Sequence, residues 1–291
     1  MLIFHRGWSE GFDGPGTRLI YYLKGCNLRC DWCGSPESIS PRPELLYHPE
    51  RDKMPECCPY GAPGPEGTLN RELCRKCETF DCVRVWRNPA FELAGGEITP
   101  EEMLREARQA RDLISGVTFG GGEPTLQIDA LLACLDLLRN DGFHTTVESN
   151  AATAEFARLP GRVDLLFCDL KTLDPDLAKR RVGVSLPLLK ENLRLAAKNQ
   201  PGLRIRIPVV TELNDTPERQ RELAEFCREL KSLRPDGTLP VELLRQHHLA
   251  NPKYRALGRA NPTEGVEPPP AEILRNFAEL LKEDINVTIF G

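Results

Sequence analysis

Thr17-Arg18-Leu19-Ile20-Tyr21-Tyr22-Leu23-Lys24-Gly25-Cys26-Asn27-Leu28-Arg29-Cys30-Asp31-Trp32-Cys33 joins an apolar run to three cysteines spaced Cys-x3-Cys-x2-Cys. The run Thr17–Lys24 reads as a strand, so the cysteines occupy the loop that leaves it. Three closely spaced thiolates hold three corners of a four-iron cluster. No fourth cysteine follows at a matching distance, which leaves one iron without a protein ligand. An iron with an open position binds and activates a ligand, as an open catalytic zinc does. A zinc knot is the plainer alternative, but a structural zinc takes four ligands and no fourth is evident.

Further along, short apolar strands alternate with amphipathic helices. Strands are expected at Gly116–Phe119, Phe143–Glu148, Val163–Asp169, Leu203–Val210 and Leu239–Arg245. Thr99-Pro100-Glu101-Glu102 is a capping box with proline at the first helical position, and Met103, Ala107, Ala110 and Ile114 follow at helical spacing. Thr216-Pro217 opens another helix, with Leu223, Phe226, Cys227 and Leu230 on one face. Six strands with crossover helices imply an α/β fold: a parallel sheet covered by helices and curled into a partial, TIM-like (β/α)6 barrel. Chemistry in such folds gathers at the C-terminal strand ends, which is where the cysteine loop falls.

Composition narrows the function. The 291 residues carry a net charge of -5, with 40% hydrophobic and 28% charged residues. That is ordinary for a globular protein and gives no electrostatic case for a nucleic-acid groove. No apolar run approaches the roughly 20 residues needed to span a bilayer, and no export signal is evident at Met1–Gly7. A cytoplasmic, oxygen-sensitive protein is expected. Of the 11 cysteines, eight lie between residues 26 and 82, which argues for metal ligation over disulfides. Cys134, Cys168 and Cys227 fall on apolar faces and read as small hydrophobes.

The motifs now add up. Asp13-Gly14-Pro15-Gly16, the cysteine loop, Val117-Thr118-Phe119-Gly120-Gly121-Gly122-Glu123-Pro124, Glu148-Ser149-Asn150, Asp169-Leu170-Lys171, Arg206-Ile207-Pro208-Val209-Val210, Val241-Glu242-Leu243-Leu244, His247 and Lys253-Tyr254 follow one another along nearly the whole chain. In order and spacing the chain resembles the glycyl-radical-enzyme activating enzymes, the radical S-adenosylmethionine proteins that include pyruvate formate-lyase activating enzyme. The resemblance implies a radical SAM core. Its cluster, held by Cys26, Cys30 and Cys33, would chelate the amino and carboxylate groups of S-adenosylmethionine. It also implies an enzyme that cleaves this cofactor reductively and abstracts hydrogen from a glycine of a partner glycyl radical enzyme. A flavodoxin or ferredoxin would supply the electron, in an anaerobic setting, with the chain acting as a monomer. The alternative is a radical enzyme that modifies a small molecule or peptide directly.

The resemblance also distributes roles. Trp32, Gly121, Gly122 and Glu123 are placed against the cofactor, with Glu123 accepting from its ammonium. Lys171 and Arg206 are cations suited to its carboxylate, though Arg206 also reads as surface charge. Glu148, Ser149 and Asn150 match a motif that in relatives helps hold a monovalent cation. His247 is placed beside the cofactor, with His248 adjoining it and a structural histidine the alternative. Asp13 and Lys171 are the catalytic candidates, Asp13 reading equally as a turn aspartate. Thr211-Glu212 departs from a usual Pro-Gly, and Arg245-Gln246 from a common Pro-Tyr.

Residues 38–97 break the alternation and read as a ferredoxin-like insert, between a core that starts at 1–37 and resumes at 98–291. Few apolar residues are available there, and so small a segment needs a metal or disulfide staple. Relatives with an insert carry two full cluster motifs. Here Cys58 reads as the tail of the first and Cys74, Cys77 and Cys82 as the head of the second. Trp86 stands where its fourth cysteine belongs. These four cysteines would hold one auxiliary four-iron cluster, with Cys57 able to replace Cys58 and a four-cysteine zinc site also compatible with the spacing.

Overall fold

A computed structural model of the chain describes residues 1–51 and 58–291. The strands are β1 (Leu2–Glu10), β2 (Thr17–Leu23), β3 (Glu44–Tyr47), β4 (Phe91–Ala94), β5 (Gly96–Glu97), β6 (Gly116–Gly121), β7 (Thr145–Ser149), β8 (Leu165–Asp169), β9 (Leu203–Val209), β10 (Val241–Arg245) and β11 (Val287–Phe290). The helices are α1 (Arg71–Lys76), α2 (Asp81–Arg84), α3 (Pro100–Gln109), α4 (Ile128–Asn140), α5 (Pro175–Leu177), which runs into a π turn, α6 (Leu186–Asn199), α7 (Pro217–Ser232), α8 (Asn251–Ala256) and α9 (Ala271–Lys282). None is long and apolar enough to cross a membrane among the described residues.

Nine strands form the main sheet in the order β11-β10-β9-β8-β7-β6-β2-β1-β5. From β2 to β11 every neighbour is parallel; β1 and β5 add an antiparallel edge. The parallel array therefore has seven strands rather than the six expected. The extra strand, β11, is a four-residue edge strand, too short to show a period. β1 escapes sequence reading because Phe4-His5-Arg6-Gly7-Trp8-Ser9 has no clean alternation, and only Ile3 along it is buried. An edge strand needs no second apolar face.

The outer face of the sheet carries the core. Tyr21, Leu23, Val117, Phe119, Val147, Leu166, Ile205 and Leu243 pack against α3, α4, α6, α7 and α9 through residues such as Met103, Leu131, Leu193, Leu223 and Phe277. Thr99 caps α3 as expected: its Oγ1 accepts from Glu102 N at 3.1 Å, and its own N–H donates to Glu102 Oε2 at 2.9 Å. Cys134, Cys168 and Cys227 are fully buried within this core.

The inner face is polar, and it shows how far the sheet curls. Arg18 is fully buried and donates to Thr118 Oγ1 at 3.0 Å and Thr146 Oγ1 at 2.9 Å. Burial lowers its pKa to about 10, with Asp164 and then Asp13 opposing. The β1–β2 loop reaches across this interior. Asp13 O accepts from Thr118 Oγ1 on β6 at 2.7 Å, Phe12 O accepts from Arg206 on β9, and Phe12 lies 5.5 Å from the ring of Phe290 on β11. One loop touching β6, β9 and β11 requires a sheet bent into a partial barrel.

Outside this sheet, β3 and β4 pair antiparallel, Glu44 to Ala94 through Tyr47 to Phe91. Leu45, Tyr47, Cys82, Ala90 and Phe91 make a small core of their own, and Asn70 caps α1 through Oδ1. β5 lies within the 38–97 stretch yet joins the main sheet beside β1.

Candidate active site

The loop after β2 is held from both sides. Gly25 turns the chain at φ +94°, a conformation that favours glycine. Its N–H donates to Ser38 O at 2.7 Å, and Cys26 N to Ile39 O at 3.2 Å. Across the loop, Arg29 N donates to Val182 O at 2.8 Å and Arg181 Nε to Asp31 Oδ2 at 3.0 Å. So stapled, Cys26, Cys30 and Cys33 line one cavity of about 280 Å³, with Trp32 beside them. Burial pushes the Cys26 thiol up to about 11 and the Cys30 thiol to about 12, and raises Cys33 as well. Cluster loading must therefore displace their protons. Among the described residues no three His, Cys, Asp or Glu side chains are drawn together around a single-ion position. The three cysteines line the one cavity together.

The other strand ends complete the cavity. Asn150 follows β7, Lys171 follows β8, and His247 follows β10. Lys171 Nζ donates to Asp169 Oδ2 at 2.5 Å. Burial works against its charge, but Asp169 and then Cys30 outweigh that and hold its pKa above the usual lysine range. The pocket thus offers one protonated amine, paired with Asp169, beside three thiols. Asn150 Nδ2 donates to Asn27 Oδ1 at 2.9 Å and lies 3.9 Å from Cys26 Sγ. Of the two adjoining histidines, His247 lines the cavity, exposed at its rim near Gly34.

Gly121 and Gly122 also line it, but a different contact demands their small size. A Cβ on Gly122 would stand 2.1 Å from Gly25 O, and one on Gly121 2.6 Å from Leu23 N. They let the β6 end pack on the base of the cysteine loop, where Glu123 N donates to Gly25 O at 2.7 Å. Glu123 itself is buried behind the wall. Its Oε1 accepts from Thr125 N, Thr125 Oγ1 and Ser149 Oγ, and its Oε2 from Asn150 N at 2.7 Å. Burial raises its pKa against those bonds. Its role here is to pin the β6 and β7 ends together; it does not face the cavity.

Asp13, Glu148 and Arg206 are likewise absent from the cavity wall and form an interior network. Arg206 is 8% exposed and its guanidinium stands 3.6 Å over the ring of Phe167. It donates to Glu148 Oε1 at 2.5 Å, to Glu242 Oε2 at 2.8 Å and to Phe12 O. Two carboxylates, Glu148 and Glu242, share this one guanidinium, and Asp13 lies close enough to Glu148 to act on it. Burial accordingly pushes Glu148 up to about 8, Arg206 opposing and Asp13 adding to the rise. Arg206 is thus a buried ion-pair centre, neither surface charge nor a free partner for a carboxylate. The three residues of the cation motif also diverge: Glu148 turns to Arg206, Ser149 to Glu123 and Asn150 to Asn27.

Residues 20–227 match the family model described as the Radical SAM superfamily. The chain belongs to that superfamily, among the glycyl-radical-enzyme activating enzymes. Its relatives include the isethionate sulfite-lyase activating enzyme of Oleidesulfovibrio alaskensis, 32% identical over 86% of this chain and 84% of the relative. The 4-hydroxyphenylacetate decarboxylase activating enzyme of Clostridioides difficile is 30% identical, over 85% of this chain and 82% of the relative. In fold, the chain resembles QueE from Escherichia coli at TM-score 0.50 and 15% identity, covering 99% of this chain and 93% of that one. Membership brings a four-iron cluster and S-adenosylmethionine, and the set of thiols with its neighbouring ammonium fits both.

The activating enzyme's insert brings part of its expected ligand set together. Burial raises the Cys74 thiol, Arg71 opposes, and the Cys58 and Cys77 thiols are near enough to raise it further. Ala62 N donates to Cys58 Sγ at 3.5 Å and Phe80 N to Cys77 Sγ at 3.4 Å. Cys82 is buried in the insert's apolar cluster. Cys57 lies outside the described residues. Sequence reading missed two site contributors, Asp169 and Gln246. A carboxylate two residues before Lys171 was signal enough for the first; the second stood out only as a departure from relatives.

Proposed function

We propose that the chain activates a glycyl radical enzyme by abstracting a hydrogen atom from one backbone glycine of that partner. When bound, the reduced cluster and S-adenosylmethionine supply a 5′-deoxyadenosyl radical, at a cost of one electron and one cofactor per glycine. Cys26, Cys30 and Cys33 hold three cluster corners, and Lys171 meets the cofactor carboxylate while Asp169 keeps its ammonium charged. Asn150 and His247 line the remaining wall. A flavodoxin or ferredoxin delivers the electron, and Cys58, Cys74, Cys77 and Cys82 hold an auxiliary four-iron cluster. The β1–β2 loop around Asp13 meets the partner's glycine segment. A Cα–H between two peptide groups suits this attack because the resulting radical delocalises over both.

The observation that carries this reading is the set of three thiols lining one cavity, with no fourth cysteine in its wall among the described residues, at the C-terminal end of a parallel barrel. Anaerobically reconstituted protein, mixed with its glycyl radical enzyme, reductant and S-adenosylmethionine, should yield a glycyl radical resonance in the partner with one cofactor consumed per site. Repeated turnover on a soluble metabolite, with no radical in the partner, would assign direct small-molecule chemistry instead.

A further inference from the structure

Two residues singled out in the sequence as departures, Thr211 after β9 and Gln246 after β10, meet in space. Thr211 N–H donates to Gln246 Oε1 at 3.1 Å, a bond that proline at 211 has no hydrogen to make. Because Oε1 takes that bond, the opposite end of the amide is the NH2 group, which only donates. Gln246 is 6% exposed and lines the cluster cavity, and its Nε2 has no partner among the described residues. A buried donor left unpaired costs folding free energy, so its place beside a ligand pocket is informative.

The surrounding rim is braced by the same residues. Thr211 Oγ1 donates to Glu267 O at 2.7 Å, and Arg245 Nε to Pro269 O at 2.8 Å. These bonds hold the segment before α9 over the ends of β9 and β10, so the amide has a fixed frame. On the function proposed above, on which this inference rests, the cluster on the three thiols and Lys171 take the amino-acid end of the cofactor. What remains for the β10 end is the nucleoside, rich in acceptors at its ring nitrogens and ribose oxygens.

We propose that Gln246 Nε2 donates a hydrogen bond to an acceptor on the adenosyl part of S-adenosylmethionine, and that Thr211 is the positioning residue that sets the amide. The two departures are one device. Losing the donor leaves a buried acceptor unpaired, which weakens binding by roughly tenfold.

Equilibrium binding to the anaerobically reconstituted holoenzyme tests this, using S-adenosylmethionine and 5′-methylthioadenosine, which keeps the nucleoside and lacks the amino acid. Gln246→Met should weaken both by the same factor, and Gln246→Glu, which turns an acceptor toward an acceptor, by more. Thr211→Pro should approach the loss of Gln246→Met and add little to it in the double variant, while Thr211→Ser, which keeps N–H and hydroxyl, stays at wild type. Iron content checks each variant's core. Unchanged affinity in Gln246→Met would overturn the proposal, as would a loss confined to S-adenosylmethionine. Additive losses from Thr211→Pro and Gln246→Met would overturn the positioning role. A wild-type protein that bound neither probe would refute the cofactor assignment itself.

Discussion

The loop carrying Cys26, Cys30 and Cys33 is anchored by backbone bonds to Ser38, Ile39 and Val182 and backed by a nine-stranded sheet. The cysteines of the insert rest on a two-stranded ladder, two short helices and a cluster built around Leu45, Tyr47, Cys82, Ala90 and Phe91. Both regions present thiols, but only the first has a scaffold able to hold them without metal. A small core supplies too little burial to offset chain entropy unaided. The thiols of the barrel loop therefore rest on the larger scaffold, and those of the 38–97 stretch on the smaller one.

The sharpest way to break this contrast is to mutate each set. Cys30→Ser should abolish 5′-deoxyadenosine release while shifting the melting temperature little, because the barrel does not depend on the cluster. A Cys74→Ser, Cys77→Ser double variant should open the insert to protease between residues 58 and 90 and leave hydrogen exchange in α4 and α6 unchanged. Global unfolding of the double variant would show that the insert supports the barrel.

Arg206 sharpens the comparison from the core side. Arg206→Ala takes the hydrogen-bond partner from buried Glu148 and leaves Glu242 with Arg204 alone, and should cost about 3 kcal/mol in denaturant unfolding. No charge in the insert has an equivalent position among the described residues, and Arg75→Ala, at the exposed end of α1, should cost no more than about 0.5 kcal/mol.

The same network gives the core a pH signature. The Glu148 carboxyl keeps a proton in the folded chain up to about 8, against 4.5 ordinarily, chiefly through burial. Its contribution to stability is complete below pH 4.5 and is lost as pH rises through 8. Glu148→Gln should flatten that part of the pH–stability curve, read by urea midpoints. The smallest expected effect is at the α3 cap, where Thr99→Ala should cost about 1 kcal/mol.

Legibility followed the same division. β6 to β10 were readable because each carries apolar residues for the helix-covered face, from Val117 and Phe119 to Val241 and Leu243, and α3 announced itself through Thr99 and Glu102. The edges, β1, β5 and β11, carry no such pattern, and the β3–β4 ladder is too short for one. Within the site, the thiols, Asn150, Lys171 and His247 were legible because strand order alone puts them at one barrel end. Motif position said nothing of the partners that Glu123 and Arg206 take, such as Ser149 and Glu242, which distant strands bring in.

Isotope transfer probes the central claim most directly. The partner enzyme, labelled with deuterium at its loop glycine, is incubated anaerobically with the reduced activating enzyme and S-adenosylmethionine, and the released 5′-deoxyadenosine is weighed by mass spectrometry. One deuterium per molecule is predicted, in step with radical formation on the partner. Unlabelled 5′-deoxyadenosine formed at the same rate with or without the partner would contradict it.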